Sequence, residues 1–86
     1  MKVLLTMIFT NDEILMDNIR ELKPDYIITG SGAFEKIRES MLNHYPVFPD
    51  VFKITKTETG YIGRYCGIPL YSFSELPKDE IIFGIK

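Results

Sequence analysis

The chain has one cysteine, one histidine and no tryptophan in 86 residues. A single thiol, Cys66, rules out an intrachain disulfide, and the sequence reads as that of a protein from a reducing compartment. One Cys and one His cannot complete a four-ligand zinc site, and no other cofactor is expected. An excess of one charge is missing too. Ten basic residues against twelve acidic ones give a net charge of −2, too near neutral to hold a nucleic acid by bulk electrostatics. There is no long apolar run. The most apolar stretch, Met1 to Phe9, is of strand length and gives way to Thr10-Asn11-Asp12-Glu13. A membrane span or signal peptide needs a longer apolar core, so this stretch is expected to be a buried strand. Internal repeats, low-complexity tracts and linkers are also lacking, so residues 1–86 are read as one domain.

What is present is an ordinary globular balance, with 45% apolar residues. A chain this short buries a smaller share of its surface than a large domain, and it gains stability from association. Thr10-Asn11-Asp12-Glu13 fits a capping box, with Thr10 as the cap and Glu13 reaching back. The predicted helix runs to about Leu22, with Leu15, Ile19 and Leu22 on one face and Ile14 beside them. Lys23-Pro24 ends it. Asp25 to Thr29 reads as a short strand, Gly30-Ser31-Gly32 as a turn, and Ala33 to Asn43 as a second helix with Phe34, Ile37 and Met41 inward. A proline-stiffened loop from His44 to Asp50 follows. Strands are then expected at Val51–Thr57, Tyr61–Tyr65, Ile68–Ser72 and Glu80–Ile85, with turns at Glu58–Gly60, Cys66-Gly67 and Ser74–Asp79. Pro69 cannot donate to a ladder and marks an edge or a strand start. The order β-α-β-α followed by strands gives an α+β fold, a small mixed sheet of five or six strands with two helices. Its front half suggests parallel strands with crossover helices, and its back half a meander.

Candidate chemistry is sparse. Gly30-Ser31-Gly32 lies between a strand and a helix, where helix amides bind anions. It lacks the third glycine of a dinucleotide fingerprint and the Gly-Lys-Ser/Thr of a P-loop. A plain turn with a capping residue explains it first, with an anion site as the alternative. Cys66 and His44 supply a thiol and an imidazole, but nothing local pairs them, and both read as structural. Asp12, Glu13 and Asp17 offer oxygens to a hard cation, yet capping and solvation explain them. Lys53, Lys56 and Arg64 mixed with Tyr61, Tyr65 and Tyr71 resemble a single-stranded nucleic-acid platform in composition. Aromatics on strands more often serve a core or a protein interface.

The segment Gly60-Tyr61-Ile62-Gly63-Arg64-Tyr65-Cys66-Gly67-Ile68-Pro69-Leu70-Tyr71, then Ser74 to Asp79 and Ile81-Ile82-Phe83-Gly84, resembles the late part of tailed-phage major capsid proteins of the Hong-Kong-97-type fold. These often carry a Gly-x-Ile-x-Gly-Ile/Phe-Pro-Val strand pair, a Leu/Met-Pro turn and a last apolar strand ending in glycine. Asp25 to Thr29, followed by Gly32 to Arg38, is similar to a strand and helix of the same coat proteins, and Asn11 to Leu22 sits where they place a helix of the axial domain. The resemblance implies an axial-domain-like module and a non-enzymatic structural or interaction protein. Its implied partner is a coat protein or a second copy of itself, its implied place is the virion or host cytoplasm, and it can act as a modulator of capsid assembly. The chain has no room for the spine helix, peripheral domain, extended loop and N-terminal arm of a coat protein. A minor virion component, a modulator or an excised domain is therefore expected rather than a whole shell subunit. Tyr61, Arg64, Tyr65 and Tyr71 are the expected contact residues.

Overall fold

The structure is a computed structural model that describes residues 2–44, 52–57 and 60–86. The side chains at 41–44, 52–57 and 60–62 are outside it, as are the expected loop at 45–50 and the turn residues 58–59. The elements run β1 (Lys2–Ile8), α1 (Asp12–Leu22), β2 (Tyr26–Thr29), α2 (Ser31–His44), β3 (Phe52–Thr57), β4 (Gly60–Tyr65), β5 (Ile68–Ser72) and β6 (Glu80–Ile85). The expected α+β class is the one observed: a mixed six-stranded sheet with two helices.

The strands lie in the order β1-β6-β2-β5-β4-β3. Both β1 and β2 run antiparallel to β6, so they are parallel to each other with β6 between them. β2 and β5 form the parallel neighbour pair, and β5-β4-β3 is the antiparallel meander. The last strand thus returns past the meander to separate the first two. Pro69 stands where a strand begins: on the β2 side the ladder starts only at Leu70. Cys66 and Gly67 both take positive φ, 52° and 79°, which gives the two-residue turn whose twist suits a hairpin.

α1 starts one residue later than the capping box implies. Asn11, with extended backbone, is the cap, and its Oδ1 accepts from Ile14 N–H at 2.9 Å. With the cap at Asn11, Glu13 becomes the second helical residue and no longer stands where a capping-box partner must. Lys23 closes the helix in a left-handed conformation, its N–H donating to Ile19 C=O at 2.9 Å. α2 begins at Ser31, two residues before its expected start, so Ser31 and Gly32 belong to its first turn.

Both helices cover the same sheet face. Leu15 and Ile19 of α1 and Ala33, Phe34 and Ile37 of α2 share one core with Ile27, Tyr65, Leu70, Ile81 and Phe83. The helices meet where Ser40 Oγ donates to the Asp12 carboxylate. Alternation along the strands then turns Tyr26, Ile28, Arg64, Tyr71, Ile82 and Gly84 to the opposite face, which neither helix covers. The described residues form two layers, one helical and one a sheet whose far face no described helix covers, called the bare face below.

Candidate functional site

The bare face carries the most distinctive surface. On β2, Ile27 and Thr29 point to the helices, so Tyr26 and Ile28 point away. On β5, Leu70 is buried in the core, so Tyr71 points away, and Phe73 just beyond the strand lies beside it. The Tyr71 and Phe73 rings stack with centroids 6.3 Å apart and planes 13° from parallel. Tyr26, Ile28, Tyr71, Phe73 and Lys86 enclose a groove of about 460 Å³, within the range of roughly 300–1,000 Å³ typical of ligand-sized pockets. The groove has an apolar floor and aromatic walls.

Its anchors are set by the backbone. Thr29 Oγ1 donates to Tyr71 C=O at 2.8 Å, and Phe73 N–H donates to Thr29 C=O at 3.0 Å, tying the two strands that carry the walls. Lys86 N–H donates to the Asp25 carboxylate at 3.0 Å, which brings Lys86 to the start of β2 and the end of the groove. The Tyr26 ring fills the space above its register partner Gly84. Its hydroxyl is buried and has no hydrogen-bond partner among the described residues.

The four expected contact residues divide. Arg64 is exposed and stands on the bare face in register with Pro69, and Tyr71 is a wall of the groove. Tyr65 is fully buried under the helices and cannot touch a partner, which corrects its expected role. The reason is parity: Gly63 and Tyr65 share the inward side of β4, and Arg64 alone of the three turns out. Tyr61 pairs by its backbone with Ser72, and its side chain lies outside the described residues, as do those of Lys53 and Lys56. Tyr26, Ile28, Phe73 and Lys86 also line the groove, and none of them is among the expected contact residues. The period-two spacing of Tyr26/Ile28 and Tyr71/Phe73 is the signal that could have found them.

The alternative site at Gly30-Ser31-Gly32 is occupied by the protein itself. Gly30 N–H donates to Glu80 C=O at 2.9 Å and Ala33 N–H to Lys78 C=O at 2.7 Å. A Cβ at Gly30 would overlap the Pro77 carbonyl oxygen, and one at Gly32 would come within 3.0 Å of Asp79 Oδ1. Carbonyl oxygens and a carboxylate repel an anion, and Asp79 already supplies the negative charge that a helix N-terminus favours. Lys36 Nζ holds Asp79 in place at 3.0 Å. The turn is a docking point for the β5–β6 loop, which corrects the anion-site alternative.

The other candidates fall apart in space. Asp17 pairs with Arg20 at 3.4 Å and Asp12 with Ser40, and no cluster of three metal-ligating side chains occurs among the described residues. Cys66 is exposed at the β4–β5 turn. Desolvation pushes its thiol above the ordinary value, against the pull of the Arg20 guanidinium, so at neutral pH it is a protonated, weak nucleophile. No helix among the described residues is long and apolar enough to cross a membrane.

No protein-family model, curated protein or solved structure matches the chain.

Proposed function

We propose that the chain is a non-enzymatic, phage-related interaction protein that docks a protein partner on its bare sheet face. The observation that carries this reading is the aromatic groove between β2 and β5. A sheet face left uncovered by the helices, with an apolar pocket and cationic side chains at Arg64 and Lys86, suits a partner that inserts an apolar side chain flanked by carboxylates. Large aromatics with one wet edge are the residues on which interface energy concentrates. The capsid resemblance supplies the partner class: a phage coat subunit, whose assembly the docked chain would modulate.

Tagged protein recovered from infected cells and read by mass spectrometry tests this. Wild type is expected to bring down coat protein, and Tyr71→Ala to lose most of it while keeping its fold by circular dichroism. Absence of virion proteins, or equal recovery by the Tyr71→Ala variant, sinks the proposal.

A further inference from the structure

We infer that β1 pairs antiparallel with β1 of a second copy, joining two sheets into one of twelve strands. β1 is one end of the sheet, and no strand among the described residues pairs with its outer side. Among the described residues, the large apolar side chains left exposed are Val3, Leu5, Ile8 and Ile14. Three of these belong to β1. The fourth stands over the same edge: Asn18, one helical turn from Ile14, donates its amide both to Met7 Sδ at 3.4 Å and to Ile14 C=O at 3.0 Å. Exposed apolar surface is thus gathered on the one edge where peptide groups are also unpaired, and such an edge templates another strand.

The occupant follows from register and charge. Phe9 N–H bonds inward to Asp79 C=O at 2.7 Å. Alternation along an antiparallel ladder then turns the peptide groups of Thr6 and Ile8 outward. A bulge between Val3 and Leu5 interrupts the first half of the strand, so the regular part is Leu5 to Ile8. Centring the pairing on Thr6 sets Thr6 opposite Thr6 and Leu5 opposite Met7, with no charged residue facing another. Cross-strand threonine and apolar pairs of this kind are favourable. Beyond the bulge, the antiparallel direction carries Lys2 of one copy towards the α1 end of the other, where Asp12 and Glu13 form an acidic first turn. The strand is thus complementary to itself in both shape and charge, as an isologous interface requires. The two-fold axis stands perpendicular to the sheet, so both helix layers lie on one side and the two bare faces merge on the other. This inference does not depend on what the bare face binds.

Sedimentation of the full chain from micromolar concentrations to about 1 mM reads the association, with Thr6→Pro and Ile8→Lys as variants. Proline at Thr6 removes only an outward N–H, which edge strands tolerate. Lysine at Ile8 charges an exposed position without touching the core. Wild type is expected to approach twice its 10.0 kDa mass, and each variant to weaken dimerisation at least about tenfold, the loss expected of one interface hot spot. The Thr6 and Ile8 amides should also exchange slowly in concentrated wild type and fast in dilute solution. A wild type that stays monomeric throughout, or an Ile8→Lys variant that associates as tightly as wild type, overturns the inference.

Discussion

The Tyr26 ring occupies the space that a side chain at Gly84 would need, across the β2–β6 ladder in which the two residues are register partners. This one contact sets the floor level beside the groove and strands the Tyr26 hydroxyl without a partner among the described residues. Gly84→Ala is expected to cost about 1–3 kcal/mol, the usual penalty of overpacking. Tyr26→Phe removes a buried, unsatisfied hydroxyl and should be neutral or stabilising by up to about 1 kcal/mol. Because that oxygen is one of the atoms a methyl group at Gly84 would strike, the double variant should lose less than the sum, by at least about 0.5 kcal/mol. Urea unfolding of the four proteins measures the coupling, and strict additivity would show that the two residues do not share the space.

Lys23 ends α1 at φ 48° and ψ 57°, a conformation that favours glycine. Lys23→Gly should therefore stabilise the protein by about 0.5–1 kcal/mol, since the left-handed backbone costs an L-residue roughly 1–2 kcal/mol and the added flexibility of the unfolded chain takes part of the gain back. Lys23→Ala is the control and should change little, because it keeps the Cβ. Melting temperatures of the three proteins give the answer.

The local pattern of the sequence is a good guide to the elements and a poor one to their arrangement. β5 and β6 fall on the residues expected of them, because Pro69, the Cys66-Gly67 turn and the alternation of Ile81, Phe83 and Ile85 mark them from within. The starts of α1 and α2 each lie one or two residues from the expected position, because Asn11 and Ser31 compete with equally suitable neighbours and only the backbone angle decides. The insertion of β6 between β1 and β2 has no local sign. It depends on which strand buries Ile81 and Phe83 best against residues more than fifty positions away. The candidate site shows the same division. Arg64 and Tyr71 can be picked as surface basic and aromatic groups, but the inward turn of Tyr65 follows from a parity that only the neighbouring core residues fix.

That parity separates two tyrosines that look equivalent in sequence. Tyr65→Ala empties a fully buried site and should cost about 3–5 kcal/mol, a large part of the stability of a domain this small. Tyr71→Ala trims a half-buried wall of the groove and should cost no more than about 1 kcal/mol while reducing partner capture. Chemical denaturation of both variants distinguishes them, and similar losses at the two positions would contradict the two-layer arrangement.

Partial burial of the Cys66 thiol makes the stability of the protein depend on pH. Desolvation raises its pKa in the folded state, with Arg20 pulling the other way. The folded protein therefore holds the thiol proton more tightly than the unfolded chain does. Its stabilising contribution is complete below the unfolded thiol value of about 8.5 and is lost as pH rises through the higher folded value. The difference in melting temperature between wild type and Cys66→Ser should be constant near neutrality and move against wild type as the pH rises above about 8.5. Taking the difference cancels the lysines and tyrosines, which titrate in both proteins. Arg20→Ala removes the opposing charge and should push the thiol higher still, which slows alkylation by iodoacetamide at a fixed pH relative to wild type. A thiol that alkylates with an apparent pKa below that of a free cysteine would mean that the Arg20 charge outweighs desolvation, and the pH slope would then reverse.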